Sequence, residues 1–156
     1  MKQNYLYEVL KLTESQTNEL AHAFEKVLSL SGWINIEPFV EEDKRGETSG
    51  LFGWFSARGP QVPVGTLVFE GGEKPVSIGV SHGVGRDASE ILNNEGITAP
   101  SSWQLKQDHP KRGFVWEVSK QEIETSPAAE FLMEATYRLC PTAQERLWIA
   151  SVNRLD

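Results

Sequence analysis

The sequence predicts an α+β fold: a single antiparallel sheet of five to six strands with helices packed mainly on one face. Three observations carry that reading. After Thr13, apolar residues recur at helical spacing. Between residues 64 and 81 they recur at period two on both sides of Gly71-Gly72. The chain has 156 residues, which corresponds to one domain over 1–156, and a domain of this length buries a core without metal or disulfides.

The first helix is delimited at both ends. Thr13-Glu14-Ser15-Gln16 has the form of a capping box, with Thr13 as N-cap and Gln16 at the third helical position. Leu20, Phe24, Val27 and Leu28 follow on one stripe beside Ala21, and Asn18, Glu19, Glu25 and Lys26 lie opposite. Gly32 supplies the stop, so the helix covers about residues 14–31. Trp33 to Glu37 reads as a short strand ended by Pro38. Residues 41–50 are polar and charged, the composition of an exposed loop. Residues 51–57 are apolar and aromatic and are expected as a buried strand. Residues 64–70 and 76–81 follow as strands joined at the Gly71-Gly72-Glu73-Lys74 turn. Together, 51–81 read as an antiparallel meander.

The second half alternates similarly. Asp87-Ala88-Ser89-Glu90 is a second capping-box sequence, with Ile91 and Leu92 as apolar anchors and Gly96 as the stop. Residues 103–106 alternate as a strand, residues 108–113 have turn chemistry, and Phe114 to Val118 form a strand pairing back across that turn. Ser126 is expected as an N-cap with Pro127 at the first helical position. Ala128, Phe131, Leu132, Ala135 and Leu139 share one stripe, and Pro141 ends it. Thr142-Ala143-Gln144-Glu145 has the form of a third capping box. The spacing of Trp148, Ile149, Val152 and Leu155 predicts a last helix over 143–154, against a rival strand over 147–152.

Composition bounds the function. There are 15 basic and 22 acidic residues, a net charge of −7. The densest basic spot, Lys111-Arg112 beside Lys106, is too small for a phosphate backbone, so nucleic acid is not an expected partner. The charge suits a basic protein surface better, although the plainer reading is that it only keeps the protein soluble. No run of about 18 apolar residues exists, so no membrane-spanning helix is expected. The first eight residues lack the features of a signal peptide, and the single Cys fits a reducing compartment; the expected location is the cytoplasm.

Few residues carry chemistry. Ser81-His82-Gly83-Val84-Gly85-Arg86-Asp87-Ala88 lies between a predicted strand and helix and fits G-x-G-x-x-[G/A] formally. Glycines there let a backbone approach a ligand phosphate. The strand context is antiparallel, however, and Asp87 places a carboxylate at the anion site. The plainer reading is a Gly-rich turn with His82 in an exposed loop, where His82→Ala leaves folding intact. His82, Gly83, Gly85 and Arg86 are the candidate ligand-binding residues. No catalytic group, metal site or cofactor is expected: His22, His82 and His109 have no His or Cys at ligand spacing. Cys140, at a helix C-terminus, reads as a packed thiol. The loop from Glu41 to Glu47 lacks the spacing of a calcium loop.

The surplus of large aromatics points to protein contact. Phe52 and Trp54 in the strand over 51–57, and Trp148 in the last helix, are the expected interface residues, for a protein partner or for self-association as a homodimer. The element order is loosely similar to that of small secretion-chaperone-like α+β domains, and that resemblance implies binding to other proteins. The expected function is a non-catalytic protein-binding or regulatory module, chaperone-like in this sense. The alternative is a small enzyme or ligand-binding protein using the turn around His82.

Overall fold

A computed structural model of the chain describes residues 4–41 and 62–156. In chain order it contains β1 (Tyr5–Thr13), a 3₁₀ turn (Glu14–Gln16), α1 (Thr17–Ser29), β2 (Gly32–Pro38), β3 (Val64–Phe69) and β4 (Val76–Ser81). A second 3₁₀ turn (Gly85–Asp87), α2 (Ala88–Asn94), β5 (Gln104–His109), β6 (Gly113–Val118), α3 (Thr125–Arg138) and β7 (Leu147–Leu155) complete it. The seven strands form one antiparallel sheet in the order β1-β7-β2-β3-β4-β6-β5. The expected strand over 51–57, with Phe52 and Trp54, lies outside the described residues.

The middle of the sheet follows the sequence pattern closely. Leu67 stands opposite Ile78 across the hairpin closed by Gly71-Gly72, and Gly65 opposite Val80. Leu67, Phe69, Val76, Ile78 and Val80 are buried, as their period-two spacing requires. β5 and β6 pair across the following turn, whose corner is built by His109: its Nδ1 accepts the N–H groups of Lys111 and Arg112, each at 3.1 Å.

The sheet exceeds five to six strands because β1 and β7, near the two ends of the chain, add to it. β1 precedes the first expected element. Tyr5, Leu6, Tyr7, Val9 and Leu10 put large apolar side chains on both faces, so no polar alternation marks the strand. β7 replaces the expected last helix. Trp148, Ala150 and Val152 are buried, and Leu147, Ile149 and Ser151 between them are half-buried. The spacing 148, 152, 155 suits a helix, but 148, 150, 152 suits a strand face equally. What decides is that β1 and β2 flank the segment and satisfy its backbone on both sides.

Two helix starts also differ from expectation. Asp87 has helical φ and ψ and makes no side-chain cap; the 3₁₀ turn before α2 performs the entry instead. α3 begins at Thr125 with Glu124 extended as N-cap, so Ser126 is inside the helix and Pro127 occupies its third position. Pro is tolerated there because first-turn N–H groups have no intrahelical acceptor. At the 3₁₀ turn leading into α1 the expected box is present: the Thr13 side chain faces the Gln16 backbone N–H, and Gln16 Oε1 accepts the Thr13 N–H at 2.8 Å.

The core joins the apolar stripes of α1 (Leu20, Phe24, Val27) and α3 (Ala128, Leu132, Ala135) to the buried strand residues. Gly65 lets α3 approach β3: a Cβ there would lie about 3.1 Å from Leu132 and 3.2 Å from Thr136. At the β6 side, Trp103 and Trp116 meet Phe131 edge-on, with ring centroids 5.4 and 5.2 Å away.

Candidate functional site

Directly opposed residues of an antiparallel pair share a face. The registers therefore align Leu10, Ala150, Ile36, Gly65, Val80 and Phe114 across the sheet on the side of α3. Tyr7, Asn153, Trp33, Val68, Ser77 and Glu117 form a row on the other side.

That second face is aromatic at its β1–β7–β2 end. Tyr7 is 68% exposed, Val9 50%, Tyr5 44% and Trp33 36%. The Tyr5 and Trp33 rings lean across β7 to a centroid distance of 5.3 Å. Phe39 is exposed at the other end of β2, six residues beyond Trp33, where its N–H donates to Leu147 O at 2.8 Å. Between Phe39 and the adjacent ends of β1 and β7 runs a mainly apolar groove of about 300 Å³, lined in part by Lys11, Leu147 and Ile149. Exposed apolar side chains are normal singly, but a contiguous set of them marks an interaction site. The opposite end is polar: Lys106 Nζ lies 3.8 Å from Glu117.

The sequence reading did not single out Tyr5, Tyr7, Val9 or Trp33 as contact residues. The signal was present as large residues at positions 5, 7 and 9, the period of one strand face. Trp148, by contrast, is 1% exposed, and its Nε1 donates to Met133 O at 3.1 Å. It is a core residue, because β7 directs it beneath α3 and not outward as a surface helix would have done.

His82 is also corrected. It is fully buried, not exposed in a loop, since it continues the 76, 78, 80 alternation of β4 by one more step. Its ring lies 5.4 Å from Phe114. Neither Nδ1 nor Nε2 has a hydrogen-bond partner among the described residues. Burial pushes its pKa below the usual value; the charge of Asp108 pulls the other way without reversing the shift. Asp108 in turn accepts the Ser89 hydroxyl at 2.9 Å. Gly83 and Gly85 are half-buried and Arg86 is exposed. The turn thus directs its histidine inward and its arginine outward, and does not bring them to a common opening.

Cys140 is buried against Val40 and Val62, the packed thiol expected of it. His22 faces Glu25 at 3.6 Å on the surface of α1. Among the described residues, no group of three metal-ligating side chains converges, and no helix is long and apolar enough to cross a membrane.

Comparisons with protein families, curated proteins and solved structures found no match.

Proposed function

We propose that this protein is a non-catalytic protein-binding module, and that it takes a polypeptide partner on the exposed β1–β7–β2 face of its sheet, from Tyr7 and Trp33 along β2 to Phe39 at the far end. The observation that carries this reading is the joint exposure of Tyr5, Tyr7, Val9 and Trp33 on one face of the sheet, with Phe39 and an apolar groove at the other end of the same strands. Tyr and Trp remove much apolar area from water at low entropic cost, which is why they anchor interfaces. The net charge of −7 favours a basic partner through faster encounter. Phe52 and Trp54 remain expected contacts of the same kind.

Affinity capture from the native host's lysate tests the reading, using the wild-type chain beside Trp33→Asp and Phe39→Asp. Both positions are exposed, so far-ultraviolet circular dichroism is expected to be unchanged. Proteins held by the wild type should be lost from both variants and weakened by added salt. Identical protein sets on all three chains would overturn the proposal.

A second reading rests on the two nitrogens of His82, which have no hydrogen-bond partner among the described residues. Here a small polar ligand reaches His82 from the Gly83–Gly85 side of the turn, without Arg86, and supplies the missing hydrogen bonds. Such a ligand would raise the unfolding temperature of the wild type and not of His82→Leu; equal shifts in both would remove this reading.

A further inference from the structure

The two edges of the sheet are unequal. β5 is six residues long, its register with β6 shifts between Leu105 and Gln107, and it carries Lys106 and Asp108 before Pro110. A bulge, charges and a proline are the devices that keep an edge from pairing with another chain. β1 is nine residues long, pairs with β7 without a shift, contains neither Gly nor Pro, and is exposed from Tyr5 to Val9. Among the described residues its outer side has no strand partner.

We propose that β1 pairs with β1 of a second copy, antiparallel about a two-fold axis at Val9, joining the two sheets into one. The inference rests on the reading of this end of the sheet as a protein-binding surface and names a second copy as an occupant. The register that overlaps the whole of β1 places Tyr5 against Thr13, Leu6 against Leu12, Tyr7 against Lys11, Glu8 against Leu10, and Val9 against its own copy. No like charges oppose each other in it. Sliding the copies two residues one way would set Glu8 on Glu8; sliding them four residues the other way would set Lys11 on Lys11.

Full overlap also puts each Lys11 ammonium beside a Tyr7 ring, an attractive pairing. Leu6, 41% exposed on the α1 side, comes against the edge of the other copy at the level of its buried Leu12. Because each residue pairs with one of its own parity, both helical layers fall on one side of the joined sheet. The two Tyr7–Trp33 surfaces then become continuous on the other. Four or five residue pairs exchanging two bonds each give about eight to ten main-chain hydrogen bonds.

Each copy carries −7, so overall repulsion opposes the pairing and salt relieves it. Association should therefore tighten with salt, the opposite of capture of a basic partner.

Sedimentation equilibrium over the micromolar range tests this, with circular dichroism to confirm the fold. The wild type should approach twice 17.5 kDa. Val9→Lys sets two ammonium groups at the axis, and Tyr7→Lys sets lysine against Lys11; each should raise the dissociation constant about tenfold or more. Tyr7→Glu sets a carboxylate against Lys11 and should retain the dimer. A monomeric wild type overturns the proposal, as does a dimer unmoved by both lysine variants, or one that Tyr7→Glu weakens as much as Tyr7→Lys. The two readings separate at Trp33, which lies outside β1. A monomer that still loses its captured proteins on Trp33→Asp rejects the dimer and keeps the binding face. A dimer that survives Trp33→Asp, with capture unchanged, keeps the dimer and rejects a separate partner there.

Discussion

His82 places an imidazole in the sheet's buried layer, with both nitrogens unpartnered among the described residues. Burial favours the neutral ring, so its folded-state pKa lies below the unfolded value near 6.5. The unfolded chain therefore binds the proton first. His82 leaves stability intact above pH 6.5 and reduces it as the pH falls from there through the folded pKa. In chemical denaturation at a series of pH values, His82→Leu should flatten this part of the profile. At pH 7.5 the same variant should match or exceed wild-type stability, since it fills the space and removes an unsatisfied polar group. His82→Ala should cost about 2–4 kcal/mol, because it leaves a cavity. A negligible loss would mean that the site collapses freely. Arg146 acts by the opposite means: its guanidinium bonds Glu14 at 2.6 Å, also bonds Glu134, and lies 4.5 Å from the centroid of Tyr137. It ties the start of β7 to both helical regions. Arg146→Lys keeps the charge but loses the fork and the stacking, and should lower stability by about 1 kcal/mol in urea titration.

At the scale of elements, β2 depends on how it begins. Gly32 has φ +147, and a Cβ there would lie 2.1 Å from Asn153 O and 2.8 Å from Arg154 Cα. Both are backbone atoms of β7, which cannot move aside without breaking the β2–β7 ladder. Gly32→Ala should therefore cost more than about 2 kcal/mol and disturb amide protection in β2 and β7 together. Hydrogen exchange localises the effect; protection lost elsewhere, with these strands intact, would contradict this account. Gly113 is a second such place: at φ +80 its missing Cβ clears Val80 O by the same kind of close approach. These two glycines let β2 and β6 enter the sheet beside strands already in position.

Across the whole molecule, the chain closes on itself: β1 and β7, its two terminal strands, pair along nine residues. β7 then lies inside the sheet and supports β2 on its other side. Such non-local pairing has a loop-closure cost that must be met before any contact rewards it, so folding should be slow for this size. Truncation after Cys140 removes β7 and leaves β1 and β2 without their shared partner. The truncated chain should show no cooperative unfolding transition, whereas the full chain should show one, with tryptophan fluorescence and circular dichroism coincident. Separate transitions in the full chain would mean that the β1–β7–β2 region and the rest unfold independently.

The elements whose pattern is local were legible in the sequence. The stripe of α1, the β3–β4 hairpin at Gly71-Gly72, and the β5–β6 pair all follow from spacing and turn residues, because their signals lie within a few residues of one another. Each candidate functional residue depended instead on its setting. The residue type alone does not place Trp148 or His82; one was set by the strand state of β7 and the other by one further step of β4. Tyr7 and Trp33 are far apart in sequence and share a row only because β7 lies between their strands. Composition and periodicity by themselves determined an acidic α+β chain with an antiparallel sheet. Tertiary structure alone decided that 147–155 is a strand, since its backbone hydrogen bonds are supplied by segments more than a hundred residues away. It also decided which aromatics reach solvent, since strand parity takes effect only once the sheet has two faces.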